Sequence, residues 1–166
     1  MQLTYKKAVK EDANLLVNIY NASFYDDYLQ YGECPGYGKT KEEMELSIDN
    51  CDKYIIINKN KICLELEISM DNINNVKGMT FKKDTIGNYD IGCLCVIPPY
   101  QGMGIGTKAF HYMLSICTDW KRITLVTPAD KEQNIKFYTE KCGFKVGNKK
   151  LYGNVEIVNL YMERPA

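Results

Sequence analysis

The chain has 166 residues and equal numbers of basic and acidic side chains, 21 of each, so it carries no formal net charge. That length suits a single domain over residues 1–166, since ~100–200 residues per domain is usual, and such a chain buries ~70% of its unfolded surface without staples. Balanced charge lacks the electrostatic footprint of nucleic-acid binding, no apolar run reaches the ~18 residues of a membrane span, and Met1–Lys7 lacks the apolar stretch of a signal peptide. The expectation is a cytoplasmic protein without nucleic-acid or membrane partners.

Leu3 to Val9 alternates weakly and reads as a first strand. Asp12 reads as an N-cap, followed by Leu15, Leu16, Ile19 and Tyr20 at helical spacing. Phe24 to Gly38, rich in Tyr and Gly, reads as a loop or a broken helix. Thr40 with Glu43 fits a capping box, and a short helix follows to about Asn50. Tyr54–Ile57 and Ile62–Ile68 are strand-like, with Asn58-Lys59-Asn60 between them as a hairpin turn. Asp71 to Asn88 is polar and reads as a long connection.

Tyr89 to Ile97 is an apolar strand ended by Pro98-Pro99, because proline removes a ladder donor. Ile105, Ala109, Tyr112, Met113, Ile116 and Trp120 then form one helical face. Arg122 to Val126 is a short buried strand. Asp130 and Gln133 fit a second capping box for a helix to Cys142, where Gly143 is a left-handed stop. Phe144–Lys150 and Val155–Met162 close the chain as a hairpin around Gly153-Asn154. The order β-α-α-β-β-β-α-β-α-β-β predicts a mixed α/β (α+β) domain on one central sheet.

The seven cysteines, Cys34, Cys51, Cys63, Cys93, Cys95, Cys117 and Cys142, include no C-x-x-C pair and read as buried thiols of a reducing compartment. Cys93 and Cys95 share one face of a strand. His111 has no second histidine or acidic cluster near it in the sequence, and zinc sites need three or four ligands, so no metal is expected and His111 reads as packing or capping within its helix.

The chemistry concentrates in Val96-Ile97-Pro98-Pro99-Tyr100-Gln101-Gly102-Met103-Gly104-Ile105-Gly106-Thr107. A buried strand ends, the chain turns, and three glycines alternate into an amphipathic helix. The first N–H groups of a helix have no internal partners, the dipole makes that end partly positive, and glycine lets a ligand approach the backbone. Such a construction binds phosphate or pyrophosphate. A Walker-type P-loop is excluded, because no Gly-Lys-Ser/Thr follows the loop. Gly104-Ile105-Gly106-Thr107-Lys108-Ala109 satisfies the dinucleotide fingerprint G-x-G-x-x-A, but Pro98-Pro99-Tyr100-Gln101 separates it from the strand, and the next strand ends in Val126-Thr127-Pro128 without a carboxylate.

Gln101-Gly102-Met103-Gly104-Ile105-Gly106 resembles the Q/R-x-x-G-x-G/A signature of the GNAT family of N-acetyltransferases. Upstream, Leu94-Cys95-Val96-Ile97-Pro98 is similar to the family's L-x-V-x-P strand end. Downstream, Phe137-Tyr138 followed by Gly143-Phe144 is similar to its second motif. The resemblance implies a central, mostly antiparallel sheet splayed at the cofactor site and flanked by about four helices. It implies acetyl-CoA as co-substrate, its pyrophosphate held by Gln101, Gly102, Met103, Gly104, Ile105 and Gly106 with help from Thr107, and its pantetheine arm paired with the backbone of Leu94, Cys95 and Val96. The family reaction is direct acetyl transfer to a primary amine of a small molecule or peptide in a ternary complex. Tyr138 stands where the family keeps its general acid for the leaving thiolate, and a strand N–H near Cys95 or Val96 would face the thioester oxygen.

One position departs from the pattern. Lys131 stands where the family often has a cofactor-contacting Asn, and Asn134, one turn later, is the alternative. The general base stays open among Asp90, Glu65, Glu67 and a chain of water. The resemblance places the acceptor site partly in Phe24–Gly38, where Tyr31 and Glu33 are candidates to surround a cationic amine. A catalytically degenerate coenzyme A sensor of the same fold and, more remotely, a dinucleotide-binding oxidoreductase stand as competing functions, and the resemblance is compatible with a monomer or a homodimer.

Overall fold

The computed structural model describes residues 2–58, 61–70 and 87–166, with side chains described over 2–58 and 87–166. In chain order its elements are β1 (Leu3–Lys7), α1 (Ala13–Tyr31), α2 (Lys41–Asn50), β2 (Asp52–Asn58), β3 (Lys61–Met70), β4 (Asn88–Val96), α3 (Ile105–Ile116), β5 (Arg122–Pro128), α4 (Glu132–Lys136), β6 (Lys145–Tyr152) and β7 (Val155–Glu163). This is the alternation the hydrophobic pattern predicts. Lys59 and Asn60 of the expected hairpin turn, and residues 71–86 of the expected connection, lie outside the described residues. The chain divides into two compact units, Met1–Ile68 with Cys93–Ala109 and Ser69–Gly92 with Phe110–Ala166.

In the first unit the strand order is β1-β2-β3-β4. β1 pairs antiparallel with β2 from Leu3↔Asn58 to Lys7↔Tyr54, and β2 antiparallel with β3 from Asp52↔Ile68 to Asn58↔Lys61. Its core joins Ala13, Leu16, Ile19 and Tyr20 of α1 to Met44 of α2, Ile55 of β2 and Cys93 and Cys95 of β4. One buried polar pair interrupts this apolar interior: the Lys53 Nζ donates to the Tyr20 hydroxyl at 2.7 Å. The capping box at Thr40 forms as expected, with the Glu43 N–H donating to Thr40 Oγ1 at 3.1 Å and the Thr40 N–H donating to the Glu43 carboxylate at 2.8 Å. Asp12 sits at the N-cap of α1, but its carboxylate turns back to accept from the Val9 N–H at 2.9 Å and the Lys6 Nζ at 2.9 Å.

Phe24 to Gly38 is neither a loop throughout nor a broken helix. α1 continues unbroken to Tyr31, and Gly32 ends it at φ 73°, its N–H donating to the Tyr28 carbonyl. Tyrosine here is not a turn residue: Tyr28 and Tyr37 hold the following loop against the helix. Tyr37 stacks on Tyr28 with ring centroids 4.5 Å apart, the Gly38 N–H donates to Asn21 Oδ1 at 2.8 Å, and a Cβ at Gly36 would meet the Phe24 ring at 2.4 Å.

In the second unit the order is β4-β5-β7-β6. β4 runs parallel to β5, while β5–β7 and β6–β7 are antiparallel, so most of the pairings are antiparallel, as the resemblance implies. The β4–β5 ladder comprises Asn88↔Arg122, Tyr89↔Ile123 and Asp90↔Thr124, although β4 runs on to Val96 and β5 to Pro128. β5 alternates rather than lying wholly buried: Ile123, Leu125 and Thr127 are inside, and Val126 is 56% exposed. On α3, Phe110 and Met113 are buried, whereas Ile116, expected on the buried face, is exposed. Phe110, outside the expected face, is buried, and its ring packs against Phe144 at 5.7 Å. His111 is exposed on α3, its ring tilted against Phe110, a packing contact within its own helix.

The helix after β5 starts one residue later than expected, at Glu132 with Lys131 as N-cap and no side-chain capping bond there, so the Asp130–Gln133 box does not cap it. Its second half, Phe137–Lys141, is a π-helical turn, and Gly143 at φ 86° turns the chain into β6. Among the described residues no helix is long and apolar enough to cross a membrane, and no three His, Cys, Asp or Glu side chains gather as metal ligands.

Candidate active site

In the first unit, the C-terminal half of β4, a one-turn 3-10 helix and the start of α3 form a single strand–turn–helix. Pro98–Tyr100 makes the 3-10 turn, with the Tyr100 N–H donating to the Ile97 carbonyl at 2.8 Å. Proline at two successive positions suits this turn, because its fixed φ favours a helical start and its missing N–H ends strand pairing. The Gln101 Nε2 reaches back to donate to the Val96 carbonyl at 3.1 Å, tying the loop to the strand end.

Gly102 and Gly104 then adopt φ of 77° and 78°, a left-handed backbone that L side chains rarely take. A Cβ at either position would meet nothing within 4 Å. The glycines are therefore required by backbone shape and face open space, the condition for a ligand to approach the main chain. Gly106 lies inside α3 and is not among the positive-φ glycines. The first helical hydrogen bond runs from the Lys108 N–H to the Gly104 carbonyl at 3.2 Å, so the N–H groups of Ile105, Gly106 and Thr107 stand before it at the positive end of a 12-residue helix. Of the sequence-derived contact residues, Leu94, Cys95 and Val96 lie on β4 with Cys95 buried, Gln101 to Gly104 are exposed, and Ile105 anchors the helix start in the core at 1% exposure.

Tyr138 belongs to the second unit, within the π-helical turn. Its half-buried ring meets Phe137 at 5.1 Å and Phe144 at 5.7 Å, both edge-on, and its carbonyl accepts from the Phe144 N–H at 3.0 Å. The hydrophobic spacing does not mark the wide turn, and π-turns recur at functional sites. Thr139 is the signal that was available: its hydroxyl donates to the Ile135 carbonyl at 2.8 Å, a back-bond that Ser and Thr make where a helix departs from regularity. Asn134 is exposed, its Nδ2 donating to the buried Thr127 hydroxyl at 3.2 Å, which pins α4 to β5. Lys131 is the half-exposed N-cap residue of α4.

Among the candidate bases, Asp90 is partly buried and accepts from the Thr124 hydroxyl at 3.0 Å, and the side chains of Glu65 and Glu67 lie outside the described ones. Tyr31 closes α1 and Glu33 follows its stop at Gly32, exposed. Cys142, next to Gly143, is buried, and burial pushes its thiol up to about 12.

The Acetyltransferase (GNAT) family matches residues 24–144. The chain belongs to that family. Solved structures share the fold over nearly the whole length. A GNAT-family acetyltransferase from Streptococcus pneumoniae is 18% identical, with 98% of this chain and 99% of that chain covered and a TM-score of 0.71. The PaiA N-acetyltransferase of Thermoplasma acidophilum, solved with coenzyme A, is 16% identical over 96% and 98% of the two chains, with a TM-score of 0.70. The aminoglycoside acetyltransferase AAC(6')-Ib, also solved with coenzyme A, is 16% identical over 98% and 95%, with a TM-score of 0.72. No curated protein sequence matches the chain.

Proposed function

We propose that the chain is one acetyl-CoA-dependent N-acetyltransferase domain that moves an acetyl group to a primary amine of a small molecule or peptide. The observation that carries this reading is the pair of left-handed glycines, Gly102 and Gly104, opening onto the N-terminus of α3 directly after β4. That cradle suits a pyrophosphate, received by the N–H groups from Gln101 to Gly106 and by Thr107. The structural relatives solved with coenzyme A and with acetyl-CoA support the same ligand. The backbone of Leu94, Cys95 and Val96 pairs with the pantetheine arm.

Acetyl-CoA supplies an acyl group activated as a thioester. The acceptor amine loses a proton, its nitrogen bonds to the acetyl carbon, the carbon–sulfur bond breaks, and the thiolate takes a proton. Tyr138 gives that proton, and a β4 N–H near Cys95 or Val96 donates to the carbonyl oxygen as charge develops on it. Asn134 contributes a cofactor contact, and Tyr31 and Glu33 belong to the acceptor side. The protein acts in the cytoplasm as a monomer or homodimer. Thiol release from acetyl-CoA across an amine panel tests the reading: amine-dependent release supports it, whereas coenzyme A binding without release for any amine favours a sensor.

A further inference from the structure

Along β4 the side chains alternate between two faces, so Cys93 and Cys95, two residues apart, point the same way. Both are buried, at 8% and 4% exposure, in the core of the first unit with Leu16 and Tyr20 of α1, Met44 of α2 and Ile55 of β2. Both are thiols, and their Sγ atoms meet at 2.6 Å.

That separation discriminates between the things two thiols can do. A tetrahedral ion such as zinc, with metal–sulfur bonds of ~2.3 Å, holds its sulfurs roughly 3.8 Å apart and needs three or four ligands. The pair is closer than that, and among the described residues no group of three His, Cys, Asp or Glu side chains gathers around an ion. A disulfide sets two sulfurs ~2.0 Å apart, a movement of roughly 0.6 Å from where they stand. Closing that bond bends the backbone. Residues two apart on a strand have Cα atoms ~6.6 Å apart, whereas a disulfide prefers ~5.5–6 Å. The bond therefore draws β4 shorter by roughly 0.6–1 Å around Leu94 and turns the peptide groups of Leu94, Cys95 and Val96 out of line.

We propose that Cys93 and Cys95 are a disulfide-forming pair, oxidised by a peroxide, that switches off the acetyl-CoA site. Cys93, the more exposed of the two, takes an oxygen from hydrogen peroxide, and the rest of the peroxide leaves as water. The Cys95 sulfur then bonds to the Cys93 sulfur, and the sulfenic oxygen leaves as a second water. The two thiol hydrogens end in those waters; the sulfurs together lose two electrons and the peroxide gains two. Because the sulfurs already touch, closure outruns further oxidation of Cys93. A thiol reductant reverses the bond by exchange. The effect on acetyl-CoA rests on the acetyltransferase reading, in which Leu94, Cys95 and Val96 pair with the pantetheine arm.

The test treats the whole protein with hydrogen peroxide, alkylates the remaining thiols and maps the peptides by mass. The peptide holding Cys93 and Cys95 should be unalkylated and lighter by two hydrogens, and dithiothreitol should restore it. In calorimetry the oxidised protein should bind acetyl-CoA about 10-fold more weakly than the reduced protein, the scale of one or two lost backbone hydrogen bonds. Cys93→Ala should bind as the reduced wild type does and keep its affinity after peroxide. The mass map and calorimetry of the wild type decide the matter if that variant does not fold. Alkylation of both cysteines after peroxide, or sulfinic acid at Cys93, overturns the pair. A disulfide with unchanged affinity, or an equal loss in Cys93→Ala, overturns the switch. Failure of the reduced wild type to bind acetyl-CoA overturns the acetyltransferase reading and the switch with it, while the mass map judges the disulfide by itself.

Discussion

The side-chain amide of Gln101 donates to the carbonyl of Val96 at 3.1 Å, so the glycine loop is hung from the last residue of the strand it follows. This bond sets where the loop N–H groups point. A neutral hydrogen bond contributes about 0.5–1.5 kcal/mol, so Gln101→Ala should weaken acetyl-CoA binding by roughly 2- to 12-fold in calorimetry while the melting temperature moves little.

Gly104→Val should act more strongly. A side chain there would clash with nothing, but φ of 78° costs an L residue about 1–2 kcal/mol. The loop relieves that strain by leaving its shape, and acetyl-CoA affinity should fall by about 10-fold or more, measured by titration calorimetry.

Tyr138→Phe keeps the ring contacts with Phe137 and Phe144 and removes only the hydroxyl. Loss of a general acid should lower kcat by about 10-fold or more with acetyl-CoA affinity unchanged, read from steady-state thiol release. Unchanged turnover would remove Tyr138 from the mechanism.

Glu33 follows the left-handed stop of α1 and is exposed. If it draws the acceptor's ammonium, Glu33→Gln should raise the acceptor KM by about 2- to 10-fold at low salt and less at high salt, because exposed charges are screened. The same KM at both ionic strengths would place Glu33 outside the acceptor site.

Asp12 gives a pH signature for the first unit. Partial burial works to raise its carboxyl, but the Val9 N–H and the Lys6 ammonium outweigh it and hold the group below the ordinary carboxylate value. A depressed folded value means the unfolded chain binds the proton more tightly, so this stabilisation is full above the unfolded value of ~3.9 and is lost as pH falls through the folded one. Asp12→Asn should therefore lower the melting temperature at pH 7 and converge with wild type at pH 2–3.

The element order was legible because the periodicities are strong and the turn residues local: Thr40–Glu43, Gly143 and Gly153-Asn154 act over a few residues. The glycine loop was legible for the same reason. What was not legible depends on contacts distant in sequence. The continuation of α1 to Tyr31 reflects Tyr37 stacking back on Tyr28, and the buried Phe110 reflects Phe144, 34 residues later. The pairing of Asp90 with Thr124 follows from strand placement that no local pattern encodes, and the π-turn at Tyr138 is marked in the sequence by Thr139 alone.

The most direct test of the glycine loop as a coenzyme A site is a thermal shift with acetyl-CoA, coenzyme A, NADH and ATP. A ligand at 100 times its Kd adds about 2.7 kcal/mol, which for a chain of this size is roughly 5–10 °C. Acetyl-CoA and coenzyme A should raise the melting temperature by that amount, and NADH and ATP should leave it unchanged. A rise with NADH, or none with coenzyme A, would contradict the account.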